Sequence, residues 1–129
     1  MESEARTAMN KAMSEADLQR WVIQTAQTLG WRVHHSRTTK TQRRDGSVVY
    51  HTPISGDAGF FDLVLIHLEH GIIFAELKSQ SGRLSERQRS WFDVAFGAKD
   101  SFDFTGLLRL KLWRPSDRDD IERILKGGA

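Results

Sequence analysis

Three residues with chemically active side chains stand inside two apolar segments of the sequence. Asp62 lies near the start of the first segment, Phe61 to Leu68, and Glu76 and Lys78 lie near the end of the second, Ile72 to Lys78. Charges inside apolar strands are unfavourable unless they are paired, hydrogen-bonded or bound to metal. Two carboxylates beside an ammonium can bind Mg²⁺ through oxygen atoms and position a water for attack on a phosphodiester.

The spacing of these residues predicts that they meet. Leu68-Glu69-His70-Gly71 has the length of a hairpin turn, so the two segments are expected to form adjacent antiparallel strands. Asp62 and Glu76 are each seven residues from Glu69 and are therefore opposite each other, to within about one residue. Lys78 shares the face of Glu76 because strand side chains alternate. The alternative interpretation is a buried ion pair without catalysis.

Hydrophobic periodicity and capping patterns predict the elements that position this pair, in the order α-β-β-β-α-β-α. Besides the two strands above, these elements are a helix from about Glu15 to Leu29, a strand at Trp31 to Ser36, a helix that begins after Ser85 and ends at Gly97, a strand at Leu107 to Trp113 and a helix at Asp117 to Lys126. Residues 1–13 show no clear cap and are predicted to be a frayed or partly helical arm. Residues 14–129 are predicted to be a single domain.

The polar stretch from Arg37 to Gly59 is predicted to be mostly loop, with Val48-Val49-Tyr50 in a short hairpin arm. Residues 32–44 contain five basic residues and no acid, although the net charge of the chain is only +2. A phosphate backbone would fit this stretch, and the alternative is a solvated loop.

Composition excludes several classes of protein. The chain has 129 residues, 39% of them hydrophobic, which suits one folded domain rather than a disordered segment. It has no Cys, which excludes disulfides, thiolate nucleophiles and Cys-ligated zinc. The acidic N-terminus and short apolar runs predict a soluble, cytoplasmic protein, in the host cytoplasm if a phage encodes it.

Several motifs resemble one nuclease family. Gly59-Phe60-Phe61-Asp62-Leu63 and Phe74-Ala75-Glu76-Leu77-Lys78-Ser79 resemble the PD-(D/E)XK nuclease signature. The VRR-NUC branch of that superfamily, including its small stand-alone phage and bacterial members, is similar over Glu15 to Gln19, Leu29-Gly30-Trp31, His35, Gly82 to Gln88 and Leu112 to Asp117. The resemblance covers residues 14–125. Phe61 departs from the family pattern, which usually has Pro there, and the segment from Gly97 to Gly106 is longer.

The resemblance implies a restriction-endonuclease-like αβββαβ core, an α/β fold whose mixed central sheet is flanked by helices. It also implies a Mg²⁺-dependent DNA endonuclease, with Mn²⁺ able to substitute, acting on branched DNA such as Holliday junctions in recombination and repair. Asp62, Glu76, the carbonyl of Leu77 and the helix acid Glu15 would hold the metal. Lys78 would orient the attacking water.

Two helix residues have competing interpretations. Glu15 lies three residues before Leu18 on the inward stripe of its helix and matches the family acid, whereas Asp17, its rival, suits the cap of that helix. Gln88 matches a catalytic Gln of the family, and it also fits the capping box begun by Ser85. These two roles of Gln88 are compatible.

Further residues are candidates for DNA contact, namely His35, Arg37, Lys40, Arg43, Arg44, Arg83 and Arg87. His34 and His35 are adjacent in a strand, so at most one faces the site, and a packed or surface role is the alternative for both. Solvated charge is the alternative for the arginines, including Arg89. Trp21, Trp91 and Trp113 are expected to pack in the core, and base stacking is the alternative.

The leading hypothesis is thus a homodimeric, junction-cleaving endonuclease, since symmetric cleavage of a four-way junction needs two sites. A flap or single-strand nuclease of replication and repair is the alternative enzyme. The alternative that is not an enzyme is a catalytically silent DNA-binding module.

Overall fold

The computed structural model describes residues 3–36, 39–51 and 55–128. Its helices are α1 (Glu4–Ala12), α2 (Glu15–Thr28), α3 (Glu86–Phe102) and α4 (Arg118–Leu125), with a 3-10 turn at Pro115–Asp117 before the last. Its strands are β1 (Arg32–His35), β2 (Thr39–Gln42), β3 (Val48–His51), β4 (Leu63–His67), β5 (Gly71–Leu77) and β6 (Leu108–Trp113). Within the described ranges, none of the helices combines the length and the apolar character needed to cross a bilayer.

Four strands form one mixed sheet in the order β1-β4-β5-β6. β4 runs antiparallel to β1 and β5, whereas β5 and β6 are parallel. A parallel pair needs a crossover connection, and α3 supplies it. The predicted hairpin is confirmed, with Leu63 paired to Ala75 and His67 to Gly71. The predicted α/β class, with a mixed sheet flanked by helices, is confirmed as well.

Helices cover both faces of this sheet. One face packs against α2 and α4 through a buried cluster that includes Leu18, Val22, Leu63, Ala75, Leu77, Trp113 and Ile121. The other face packs against α3 through Phe61, Phe92 and Leu110. Because strand side chains alternate, Ala75 and Leu77 face the first cluster while Glu76 between them faces the side of α3. This alternation places a carboxyl group under the start of α3.

A separate two-stranded sheet lies in the basic stretch. β2 and β3 pair in antiparallel register, from Thr39 opposite His51 to Gln42 opposite Val48. The turn between them is closed by Asp45, whose Oδ1 accepts from the backbone N–H of Ser47 at 2.9 Å. The predicted hairpin arm at Val48-Val49-Tyr50 is confirmed, and it includes more of the segment than expected.

The prediction that residues 1–13 are partly helical is confirmed, whereas the predicted lack of a cap is wrong. Residues 4–12 form a regular helix whose cap is Ser3, because its Oγ accepts from Arg6 N at 3.1 Å. Asn10 is 2% exposed and accepts from Arg118 Nη2 at 2.8 Å. Arg6 also pairs with Asp119 at 2.8 Å. These contacts join α1 to residues more than 100 positions away, which local periodicity does not reveal.

The predicted end of α3 at Gly97 is wrong, because the helix continues to Phe102. Gly97 does not adopt a positive φ, which is the conformation that commonly ends a helix. The helix ends instead at Asp103, whose N–H donates to the Lys99 carbonyl and whose carboxylate accepts from Lys99 Nζ at 2.9 Å. The other predicted elements of the main sheet and its helices agree with the structure to within about two residues at each end.

Candidate active site

Asp62 and Glu76 meet at the end of the β4–β5 hairpin, as their spacing predicts. The pairing of Leu63 with Ala75 continues by one step to place Asp62 opposite Glu76. Asp62 lies at a bend just before β4, and its Oδ2 accepts from the backbone N–H of Leu77 at 2.9 Å. This hydrogen bond holds the Asp62 carboxylate against Leu77, the last residue of β5, next to Lys78.

Glu76 is buried and is held by two neighbouring side chains. It is 1% exposed, and its Oε1 accepts from Gln88 Nε2 at 2.8 Å. Lys78 Nζ lies 3.8 Å from the same oxygen, and its side chain is 14% exposed. The carboxyl group is therefore shielded from bulk water, while the ammonium lies close to it but beyond ordinary hydrogen-bond distance.

The electrostatics of the pair favour a protonated Glu76. Its burial is the largest cause of a pKa raised to about 9, and the negative charge of Asp62 adds to the rise. Lys78 acts in the opposite direction, and Glu15 adds a smaller repulsion. Because a contact of 3.8 Å with Lys78 does not offset both burial and a second carboxylate, Glu76 favours its protonated form, and a cation bound by both carboxylates would displace the proton.

Gln88 forms the predicted capping box and also contacts Glu76, while its catalytic role stays a prediction. Its Oε1 accepts from the backbone N–H of Ser85 at 2.9 Å, and Ser85 Oγ accepts from the Gln88 N–H at 3.2 Å. This capping box begins α3. Because the amide oxygen is engaged by Ser85, the amide nitrogen is the end that reaches Glu76. The cap of α3 thus fixes the orientation of a side chain that contacts the site.

Glu15 and Asp17 lie in different surroundings, as the sequence predicts. The pKa of Glu15 is raised, mainly by desolvation of its carboxyl, and the charges of Lys78 and Asp62 both act on it. Asp17 instead takes part in the cap of α2 with Ser14, and its carboxylate accepts from Arg20 Nη1 at 3.2 Å. Glu15, and not Asp17, is therefore an electrostatic neighbour of the pair.

The atoms at this site that could bind a metal are mostly oxygen atoms. The Leu77 N–H donates to the Asp62 carboxylate. Because the N–H and C=O of one strand residue point to the same neighbouring strand, the Leu77 carbonyl also points to the side of Asp62. Among the described residues, no group of three or more His, Asp or Glu side chains converges closely enough to hold a metal on its own. The two carboxylates and the Leu77 main chain are the oxygen ligands that the structure brings together, and the role of Glu15 as a metal ligand stays a prediction.

The predicted DNA-contact arginines that the structure describes lie in two places. Arg43 and Arg44 are exposed at the turn of the β2–β3 hairpin, and Arg83 and Arg87 are exposed at the start of α3. Arg37 lies outside the described residues, as does the side chain of Lys40, whose backbone belongs to β2.

His35 is partly buried opposite Leu63, so it shares the sheet face that packs on α2 rather than the face of Glu76. His34 is exposed and takes the face of Glu76 by the same alternation. At most one of the two histidines faces the carboxylates, as expected, but the residue on their face is His34. Contact of either histidine with DNA stays a prediction.

Arg114 is a residue whose importance the sequence did not reveal. It follows β6, and its Nη1 donates to the carbonyls of Ser79 at 2.9 Å and Gly82 at 2.6 Å, with Gln80 at 3.4 Å. These carbonyls belong to the loop between Lys78 and α3. The signal that could have identified Arg114 is the parallel pairing of Leu77 with Trp113, which places the ends of β5 and β6 side by side.

No family model matches the chain, and neither a curated protein nor a solved structure matches it. The resemblance to the VRR-NUC branch therefore stays a prediction that depends on the residues themselves.

Proposed function

We propose that this chain is a metal-dependent DNA endonuclease of the VRR-NUC type, which hydrolyses phosphodiester bonds in branched DNA. The observation that carries the proposal is the meeting of Asp62 and buried Glu76, with Lys78 beside them, at the end of one hairpin. The order of α2, β1, β4, β5, α3 and β6 supports a restriction-endonuclease-like αβββαβ core if the β2–β3 hairpin is an insertion.

The donor set fits a hard divalent cation. Asp62 and Glu76 carry carboxylate oxygens, the Leu77 carbonyl is directed to the same side, and oxygen donors are preferred by Mg²⁺ and Mn²⁺. Burial and, after it, the negative charge of Asp62 raise the pKa of Glu76, and a divalent cation would offset both effects. A divalent cation held by these residues would polarise the phosphodiester and lower the pKa of a water molecule.

The other side chains have separable roles in this proposal. The Lys78 ammonium is close enough to the pair to orient a water molecule and to stabilise negative charge on the phosphate in the transition state. Gln88 holds Glu76 in place from α3. Glu15 adds negative charge at the border of the site. Arg43 and Arg44 extend from the hairpin turn and would contact the phosphate backbone.

A homodimer belongs to the same proposal. A four-way junction presents two symmetric strands, and one domain of this size with one carboxylate pair can cut one strand at a time. Two copies related by a two-fold axis would place two sites on one junction. The oligomeric state in solution, measured by light scattering with and without junction DNA, tests this part separately.

Cleavage of a panel of labelled DNAs tests the proposal. The panel contains a four-way junction, a flap, a single strand and a linear duplex, each with Mg²⁺ or Mn²⁺. Glu76→Gln and Lys78→Met are expected to reduce cleavage by roughly a hundredfold or more, as the loss of a preorganised catalytic group does. Glu86→Gln is the matched control, because Glu86 is an exposed acid in the first turn of α3 that makes none of the contacts at the site.

The pattern of cleavage separates the alternatives. Preference for the flap or the single strand would replace junction cleavage with a repair-type nuclease activity, and equal cleavage of all four DNAs would remove structure selectivity. If neither the wild type nor Glu76→Ala cuts any DNA with any divalent metal, while both bind DNA equally, the chain is a DNA-binding module and the nuclease proposal is wrong.

A further inference from the structure

A cavity of about 710 Å³ lies between one flank of α3 and the loop at residues 56–58. Its helix side is formed by Arg87, Ser90, Trp91 and Val94, and its loop side by residues 56–58. This volume lies within the range of small-molecule sites. Arg87 is adjacent in sequence to the residue that hydrogen-bonds Glu76, so the cavity and the carboxylate pair share the first turns of one helix.

The loop side of the cavity is held against α3 by two contacts. Trp91 Nε1 donates to the Ala58 carbonyl at 3.0 Å. Gly59 has a φ of +94°, and a Cβ at this position would lie 2.7 Å from the carbonyl carbon of Arg87, so only glycine permits the approach. Three residues further on, the same loop reaches Asp62. The cavity wall is therefore attached both to the helix and to the segment that carries a carboxylate of the site.

The chemistry of the lining suits one nucleotide. Arg87 and Ser90 can donate to a phosphate, Trp91 and Val94 offer aromatic and aliphatic surface to a base, and Asp57 can accept from a base amino group. A base in a duplex is already stacked and paired, so it cannot present its ring to a protein cavity without leaving the helix. A base in a single strand is free to stack on a side chain.

We propose that the cavity beside α3 binds one unpaired nucleotide of the DNA strand, next to the carboxylate pair. This inference rests on the proposed nuclease function, and it specifies the substrate further. The DNA that the site prefers then has at least one unpaired base near the bond that is cut, as a flap, a single strand or the opened centre of a junction has. A continuous duplex has none.

Val94→Glu is the test variant because it changes the cavity without disturbing the core. Val94 is 68% exposed and lines the cavity, so a glutamate there adds negative charge and removes apolar surface from it. Phe102→Glu is the matched control, since Phe102 is on the same helix, is 79% exposed and does not line the cavity. Both variants change the net charge equally, and thermal melting establishes that both are folded.

Binding is measured by fluorescence anisotropy in EDTA, with a labelled twelve-nucleotide dT strand and a blunt duplex of mixed sequence. Val94→Glu is expected to weaken binding of the single strand by roughly fivefold or more relative to Phe102→Glu, the range found when one stacked base is lost. The two variants are expected to bind the duplex equally.

Three results would overturn the inference, and one of them would also overturn the proposed function. Equal binding of the single strand by the two variants shows that the cavity holds no nucleotide. An equal loss on strand and duplex shows a backbone contact without selection for unpaired bases. If the wild type binds neither DNA, the inference fails together with the proposed function, whereas the first two results leave the nuclease proposal to the cleavage panel.

Discussion

Glu76→Gln tests whether Glu76 holds a proton in the metal-free protein. The side chain is 1% exposed and lies beside Asp62, and its pKa is raised to about 9. In the unfolded chain a glutamate titrates near pH 4.3, on the order of the value in model peptides. Between about pH 5 and pH 8, the folded protein therefore holds one proton more than the unfolded chain does.

The sign and size of the effect follow from this difference. Stability rises with pH where the unfolded state binds more protons, so here the free energy of unfolding falls as pH rises. The decrease is at most about 1.4 kcal/mol for each pH unit, or roughly 4 kcal/mol between pH 5 and pH 8. The stabilisation by this carboxyl is complete below its unfolded pKa and is lost as the pH approaches about 9.

Urea unfolding followed by tryptophan fluorescence, in EDTA at several values between pH 5 and pH 8, measures the effect. Glutamine keeps the shape of the side chain and an oxygen that Gln88 can donate to, but it cannot titrate. The two proteins differ at this one side chain, so the difference between the two profiles isolates Glu76. The variant is expected to gain stability relative to the wild type as pH rises. Asp62→Asn is expected to reduce the slope of the wild type, because it removes one cause of the raised pKa.

Added Mg²⁺ or Mn²⁺ provides the second half of this experiment. A cation competes with the proton for the carboxylate, so it is expected to stabilise the wild type more at pH 8 than at pH 5 and to leave Glu76→Gln unchanged. Parallel stability profiles of the wild type and the variant would refute the reasoning. They would mean that Glu76 is ionised in the folded protein and balanced by Lys78, which is the ion-pair interpretation.

Two further predictions concern the segments around the site. Gly59→Ala is expected to destabilise the protein by about 2 kcal/mol or more, because its Cβ meets the Arg87 backbone, whereas Gly56→Ala is expected to cost only about 1 kcal/mol, because its φ is also positive but nothing lies within 4 Å. Equal losses in urea unfolding would contradict the close approach at Gly59. Arg114→Lys is expected to cost roughly 1–3 kcal/mol and to speed amide hydrogen exchange in residues 79–82, since lysine cannot hold the same set of carbonyls. Unchanged exchange there would show that the arginine does not restrain the loop.

Much of the site was predictable because its parts are close in sequence. The register that brings Asp62 to Glu76 depends on a single hairpin turn centred on Glu69, and alternation along a strand then places Lys78. The capping box of Ser85 and Gln88 spans four residues, so the sequence alone predicts it. These features depend on local geometry, which the spacing of residue types expresses directly.

The errors concern one local stop signal for a helix and one set of distant contacts. Gly97 has the residue type that ends helices, but the helix continues through it to the ion pair of Lys99 with Asp103. Residues 1–13 have weak periodicity, but Asn10 finds a partner in Arg118 at the other end of the chain. A weak local preference is overruled when tertiary contacts contribute more free energy than the preference does.

The sequence by itself determined the α/β class, the hairpin, the caps of α2 and α3 and the opposition of two carboxylates. Only the tertiary structure decided that β6 lies parallel to β5, that Arg114 therefore binds the loop after Lys78, and that Glu76 is buried enough to hold a proton. The physical reason is that spacing defines which neighbours along the chain can meet, whereas desolvation and long-range pairing depend on what every other element places around them.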